Sequence, residues 1–314
     1  MNTDELYMHR CVQLALNGKP LAYPNPLVGA VIVADGRIIG EGYHARYGEA
    51  HAEVQAFVTV KAKDEHLLPT ATLYVSLEPC AHKGKTPPCA DLIIRKGIRR
   101  VVVGSQDPFP LVNGGGIHKL KAAGIQVAIG VLSDECARLN APFFTLHTRH
   151  RPYITLKWAE SSDGFIDGIR TPSSPAARLS TARTQLLVHR LRAEHDAILI
   201  GRRTLEMDNP SLTTRHWPGK SPQRIVLNSS SLPLSKLLEE LHEQGVQTLL
   251  VEGGAHTHQT FIDANLWDEI RVEYSSAILH EGIPAATLPT HAQLAGVSQE
   301  YYKWGNHRYL RLRK

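Results

Sequence analysis

Gly48-Glu49-Ala50-His51-Ala52-Glu53, followed by Glu78-Pro79-Cys80 and Pro87-Pro88-Cys89, is the part of the sequence that decides the fold. It supplies one imidazole, two thiols and one spare carboxylate. Thr72 to Leu77 reads as a strand that delivers Glu78-Pro79-Cys80 at its C-terminal end. His51 to Ala62 reads as a helix, and Cys89 opens another after two prolines, a placement that suits a helix start. Both clusters therefore fall at helix N-termini, where the dipole favours thiolate. Zinc with three protein ligands keeps a fourth position for water and lowers that water's pKa to about 7. His51, Cys80 and Cys89 are the candidate ligands, which leaves Glu53 as candidate general acid/base. A lone His-x-Glu is more often a helix start beside buried cysteines. The full set, with Pro-Cys after a strand and Pro-Pro-Cys at a helix start, overrides that reading.

Working outward, Thr3 caps a helix carrying Met8, Cys11, Val12 and Ala15 at i, i+3, i+4, i+7. Leu27 to Ala34 and Arg37 to Tyr43 form a hairpin about Asp35-Gly36. Arg100 to Gly104 is a strand, Gly116 to Ala123 a helix, and Gln126 to Ile129 a strand. The polar, basic stretch Leu146 to Pro152 has no periodicity and is the expected boundary between domains 1–147 and 151–314. Beyond it, strands are expected at Tyr153 to Trp158, Ala197 to Gly201, Arg224 to Leu227, Thr248 to Val251, Glu269 to Leu279 and Tyr309 to Leu312. Helices are expected at Thr181 to Glu194, Leu237 to Gln244 and His256 to Ala264. Alternation of this kind predicts α/β architecture in both halves.

The length of 314 residues accommodates two domains of ordinary size, and 42% hydrophobic with 21% charged residues describes a soluble globular chain. No apolar run reaches the ~20 residues of a membrane span, and MNTDELYMHR lacks a secretory h-region, so the expected location is cytoplasmic. Four cysteines are too few for a disulfide framework in this length, and Cys11 and Cys136 read as core residues. A net charge of +5 suits anionic small molecules without separating a phosphorylated metabolite from nucleic acid.

Other stretches admit two readings. Ala81-His82-Lys83-Gly84-Lys85-Thr86 is a solvated loop or, beside zinc, a donor cluster for an anion. Tyr23-Pro24-Asn25-Pro26 is a turn that can also set an amide against a pyrimidine edge. The second half has no Gly-x-Gly-x-x-Gly, which disfavours a Rossmann site. Val251-Glu252-Gly253-Gly254-Ala255-His256 is a strand-to-helix turn whose free N–H groups can meet a phosphate. Asp208-Asn209-Pro210-Ser211-Leu212-Thr213-Thr214-Arg215 is a surface loop, or one whose arginine grips phosphate.

A histidine, a glutamate two residues on, then Pro-Cys and a second cysteine mark zinc-dependent base deaminases. The eight residues between Cys80 and Cys89 replace the usual two. Pro24 to Val31, His51-Ala52-Glu53 and Leu77 to Cys89 together resemble the bifunctional riboflavin-biosynthesis deaminase/reductase family. Thr155-Leu156-Lys157, Ser161 to Gly164, Ala197 to Gly201, Asp208 to Leu212 and Glu252-Gly253-Gly254 are similar to its reductase domain. The resemblance implies a cytidine-deaminase-like α/β/α domain followed by a dihydrofolate-reductase-like α/β domain. It implies Zn2+ and NADPH as cofactors and a phosphorylated pyrimidine as the small-molecule substrate, with no nucleic acid or membrane partner and a homo-oligomeric state. Asn25, His44, His82 and Lys85 are the implied deaminase substrate contacts. Ser161, Thr204, Asp208, Ser229, Gly254, Ala255 and His256 are the implied cofactor contacts. Lys157, Arg192, Leu212, Arg215 and Glu252 are the implied reductase substrate contacts.

Three departures stand out. Phe109 interrupts the family's Asp-Pro-Asn-Pro, Arg178 stands where a tryptophan is usual, and Ser231-Leu232-Pro233 runs almost directly into the helix at Leu237. The short connection allows an alternative in which the C-terminal domain binds substrate or oligomerises without redox chemistry. A nucleic-acid deaminase, suggested by pI ≈ 9.0 and the basic Arg308 to Lys314, is opposed by the Gly84-Lys85-Thr86-Pro87-Pro88 loop.

Overall fold

A computed structural model describes residues 2–82, 87–172, 174–228 and 233–314; Lys85 and Ser229, both expected ligand contacts, lie outside the described residues. The chain divides into two compact units, one through Arg149 and one from His150.

The first unit begins with α1 (Thr3–Leu16), capped by Asn2 rather than Thr3. The Asn2 side chain accepts the Glu5 amide at 2.9 Å and the Glu5 carboxylate accepts the Asn2 amide at 2.9 Å, a reciprocal capping box. β1 (Gly29–Ala34), β2 (Arg37–Tyr43), α2 (Ala52–Val58), β3 (Thr72–Leu77), α3 (Cys89–Arg95), β4 (Arg100–Ser105), α4 (Gly115–Ala122) and β5 (Gln126–Ile129) follow. Then come α5 (Ser133–Leu139) and α6 (Ala141–Arg149). The sheet order is β2-β1-β3-β4-β5, with β2, β1 and β3 antiparallel in sequence and β3, β4 and β5 parallel. Side chains alternate across it. Ala30, Ile32, Leu73, Val75, Val101 and Val103 pack with Ala56, Ile93 and Leu120 of α2, α3 and α4. Val31, Val33, Tyr74 and Val102 pack with Met8, Cys11 and Cys136 of α1 and α5. The result is the expected α/β/α arrangement, and the two spare cysteines are core.

Two expectations need correction. The helix from His51 stops at Val58, because Thr59 Oγ1 bonds to the carbonyls of Ala56 and Glu41 and to the Glu41 amide. A side chain that competes for backbone groups in this way favours termination. The stretch before Pro152 is also not patternless: α6 runs to Arg149 and buries Thr145 and Leu146.

The second unit comprises β6 (Tyr153–Glu160), β7 (Phe165–Asp167), α7 (Ala182–Ala193), β8 (Ala197–Gly201), α8 (Arg202–Asp208) and β9 (Gln223–Leu227). It continues with α9 (Leu234–Glu243), β10 (Thr248–Val251), α10 (Ala255–Asp263), β11 (Glu269–Tyr274), β12 (Ile283–Pro284), β13 (Ser298–Trp304) and β14 (His307–Arg313). The main sheet has the order β13-β14-β11-β6-β10-β8-β9, and β12 pairs with β7. β11, β6, β10, β8 and β9 are mutually parallel, which brings their C-terminal ends to one edge. Ile154, Leu156, Trp158, Ile270, Val272, Leu310 and Leu312 form one apolar face with α9 and α10. Alternation then turns Lys157 and its cross-strand partner Arg271 to the opposite face. The strand expected to reach Leu279 ends at Tyr274, where the chain turns so that Ala277 accepts the Ser162 amide at 2.8 Å. α8 and β13 were not anticipated; the Gly305 turn (φ +62°) between β13 and β14 was the available signal.

Candidate functional site

In the first unit, the end of β3 and the starts of α2 and α3 converge. His51 is the N-cap of α2, and Cys89 is the first residue of α3 after the cap Pro88. His51 Nδ1 lies 3.6 Å from Cys80 Sγ and 3.4 Å from Cys89 Sγ. Tetrahedral zinc, with bonds of about 2.0–2.1 Å to nitrogen and about 2.3 Å to sulfur, requires an N···S separation of about 3.6 Å. The spacing therefore fits one zinc ion, held through Nδ1, and these three residues form the metal-competent cluster among the described residues. The Cys89 amide donates to Cys80 Sγ at 3.3 Å. Hydrogen bonding from the Cys89 thiol, and then from His51, holds the Cys80 thiol well below its ordinary range. Glu53 lies in the first turn of α2 and is 3% exposed. Burial, followed by the neighbouring Cys80 charge, pushes its carboxyl up to about 7.

Around this cluster, His44 stands edge to face against His51, with ring centroids 5.5 Å apart. Both His44 ring nitrogens are engaged, Nδ1 with the Ala50 carbonyl at 3.1 Å and Nε2 with the Asn25 amide nitrogen at 3.1 Å. His82 carries a buried Nδ1 that has no hydrogen-bond partner among the described residues. Its ring packs on Phe109 at 6.2 Å, and Phe109 packs on His147 at 5.0 Å. Glu78, quoted in the sequence with no assigned role, is the residue that sequence reasoning passed over. Its buried carboxylate accepts the amides of Asp107 (3.2 Å), Gly114 (2.9 Å), Gly116 (2.9 Å) and Ile117 (3.1 Å). An acid directly before Pro-Cys at a strand end was the signal.

In the second unit, the strand ends gather several of the expected residues. Arg192 grips Glu252 with two bonds, Nε to Oε1 at 3.2 Å and Nη2 to Oε2 at 2.6 Å, and Nη1 donates to the Thr213 carbonyl at 3.3 Å. Arg215 donates to Ser211 Oγ at 3.0 Å and is otherwise exposed. Leu212 is buried at φ +54°. Gly254 caps α10, with Ala255 and His256 in its first turn, and a side chain at Gly254 would meet Thr204 Oγ1 at 3.6 Å. Asp208 is salt-bridged to Arg170, which also binds Asp167 at 2.6 Å. Ser161 Oγ, just past the end of β6, accepts the Phe165 amide at 2.9 Å. Arg170 had no sequence signal. Arg178 is exposed, while its neighbours Leu179 and Ser180 are buried and bonded to Glu273, respectively.

Residues 1–105 match the cytidine and deoxycytidylate deaminase zinc-binding region, and residues 152–235 and 229–285 match the RibD C-terminal domain. The riboflavin biosynthesis protein RibD of Aquifex aeolicus is 39% identical over 328 residues, covering 91% of this chain and 90% of that protein. This chain belongs to the RibD family. The Escherichia coli RibD is 34% identical, covering 96% of this chain and 95% of that protein. A solved structure from Thermotoga maritima, a diaminohydroxyphosphoribosylaminopyrimidine deaminase/5-amino-6-(5-phosphoribosylamino)uracil reductase, is 33% identical with TM-score 0.83, covering 99% of this chain and 98% of that one. An Acinetobacter baumannii RibD structure is 31% identical with TM-score 0.84 and the same coverage. The RibD C-terminal match falls in two pieces that overlap at residues 229–235, from the connection after β9 into the start of α9. Both RibD units are thus present in one chain. No helix among the described residues is long and apolar enough to cross a membrane.

Proposed function

We propose that this chain carries out two consecutive steps of riboflavin biosynthesis. Residues 1–147 hydrolytically deaminate 2,5-diamino-6-(5-phosphoribosylamino)pyrimidin-4-one, and residues 151–314 reduce the ribosyl group of the product to ribityl with NADPH. The observation that carries the reading is the His51-Cys80-Cys89 triangle, sized for zinc, with Glu53 buried beside it. Bound zinc supplies a water of lowered pKa. Glu53 then moves protons, passing one from the attacking water to the ring nitrogen and a second, from the added hydroxyl, to the amino group that leaves as ammonia. Asn25, His44, His82 and Lys85 surround the pyrimidine. The longer loop between the cysteines marks a free phosphorylated pyrimidine, rather than nucleic acid, as substrate.

In the second domain the protein's work is positioning, because the nicotinamide carries the hydride. Ser161, Thr204, Asp208, Ser229, Gly254, Ala255 and His256 line the cofactor side. Lys157, Arg192, Leu212, Arg215 and Glu252 line the substrate side. Since Arg192 is tied to Glu252, Arg215 is the freer cation for the 5′-phosphate. The enzyme acts in the cytoplasm as a homo-oligomer.

Zinc content and ammonia release by Glu53→Ala test the first step. A variant that keeps zinc and deaminates at the wild-type rate overturns the role of Glu53. NADPH absorbance with the deaminated intermediate tests the second step. No oxidation at saturating protein would leave the C-terminal domain as a binding or oligomerisation module.

A further inference from the structure

His44 is 2% exposed and sits just past the end of β2. Its Nδ1 faces the Ala50 carbonyl oxygen at 3.1 Å, and a carbonyl oxygen only accepts. The proton of the neutral ring must therefore reside on Nδ1, which leaves Nε2 with a lone pair. Nε2 faces the Asn25 side-chain amide at 3.1 Å, so Asn25 must present its N–H there. The opposite amide orientation would set an oxygen lone pair against a nitrogen lone pair. One backbone carbonyl thus fixes a tautomer, and the tautomer fixes an amide. The Asn25 carbonyl oxygen is turned away from His44, and no donor among the described residues bonds to it.

The backbone of Asn25 is held separately. It lies between Pro24 and Pro26, and its amide donates to the Ala22 carbonyl at 3.0 Å. The turn sets where the side chain is, and His44 sets which end of it is available. His44 packs edge to face on the candidate ligand His51, so this pair borders the deaminase site.

We propose that His44 is a positioning residue that acts through Asn25, and that Asn25 offers its carbonyl oxygen to a hydrogen-bond donor on the pyrimidine, an exocyclic amino group or a ring N–H. The proposal rests on the deaminase reading of this site. It divides the labour between two residues that border the pyrimidine: Asn25 touches substrate, and the direct contact expected of His44 gives way to its hold on Asn25, since both of its ring nitrogens are engaged.

The test uses the full-length, zinc-loaded chain labelled with 15N in histidine and asparagine. The His44 signals, identified by their loss in His44→Phe, should show the proton on Nδ1 and a bare Nε2 coupled across the hydrogen bond to the Asn25 amide nitrogen. A proton on Nε2 overturns the proposal, because Asn25 would then have to turn its oxygen inward. The kinetic arm is a double-mutant cycle with zinc content measured for each variant. Asn25→Leu should raise KM about 10-fold, the loss of one neutral hydrogen bond of about 1.4 kcal/mol. His44→Phe should raise KM several-fold alone and not at all in the Asn25→Leu background, since it acts only through that amide. Additive effects overturn the positioning role. The tautomer is read without substrate, so a correct tautomer in a chain that releases no ammonia would refute the deaminase reading and leave the hydrogen-bond relay standing.

Discussion

Glu78 Oε1 accepts the Gly116 amide at 2.9 Å, and the carbonyl oxygen of Pro79 occupies the space where a side chain on Gly116 would begin. The turn that delivers Cys80 is thereby clamped onto the start of α4. A carboxylate can accept all four of the amides that converge on Glu78, whereas a glutamine turns an NH2 toward two of them. Glu78→Gln should cost roughly 2–6 kcal/mol, since each of the two buried donors left unsatisfied costs about 1–3 kcal/mol. It should also weaken zinc binding by about 10–100-fold, as loss of ligand-supporting contacts does. Denaturant unfolding and a zinc-chelator competition measure the two effects. Gly116→Ala should reproduce the zinc effect without changing any charge.

The candidate zinc ligands and the candidate reductase residues lie in different compact units. Chelation, or Cys89→Ser, should therefore abolish ammonia release and spare NADPH oxidation when the deaminated intermediate is supplied directly. Parallel assays on one preparation decide it; loss of both activities would mean that the metal supports more than the first site.

The zinc site was legible because its chemistry is local. Three elements carry the ligands at their ends, and each end is marked by a proline or a helix start. The α/β order was legible for the same reason, since strands such as Gly29–Ala34 and Ala197–Gly201 are uninterrupted apolar runs. Long-range consequences were not legible. An acid before Pro-Cys singles out Glu78, but its four amide partners come from residues 107–117, which only the fold brings to it. Arg170 likewise reads as an ordinary loop arginine until Asp167 and Asp208 are brought to it. In the sequence Phe109 is only an interruption of Asp-Pro-Asn-Pro; in the fold, it is an aromatic bridge between His82 and His147.

Arg192 and Glu252 form a two-bond pair with side chains only 13% and 11% exposed. Removing one partner leaves the other charge largely desolvated, so Arg192→Ala or Glu252→Ala alone should cost about 3–5 kcal/mol. The double variant should cost less than the sum, with a coupling energy above about 1 kcal/mol. Arg192→Lys should not rescue, because an ammonium cannot reproduce the fork. Stability of the four chains by denaturant, and KM for the reductase substrate, test the pair as structure and as binding surface.

His258 supplies a pH dependence whose sign is fixed. It is buried against Trp158 at 5.0 Å, and its Nε2 donates to the Val251 carbonyl at 3.1 Å. Burial pushes its pKa down from 6.5 to about 4. Above pH 6.5 the ring is neutral in both folded and unfolded chains and contributes no slope. As pH falls below 6.5 the unfolded chain takes up a proton that the folded chain refuses, so stability declines until about pH 4. At about 1.4 kcal/mol per pKa unit, the loss amounts to about 3 kcal/mol. His258→Gln keeps an amide donor for Val251 and cannot titrate. Its unfolding free energy should therefore lie below that of the wild type at neutral pH and converge on it toward pH 4. Equal slopes for the two proteins over that interval would show that His258 ionises freely in the folded state.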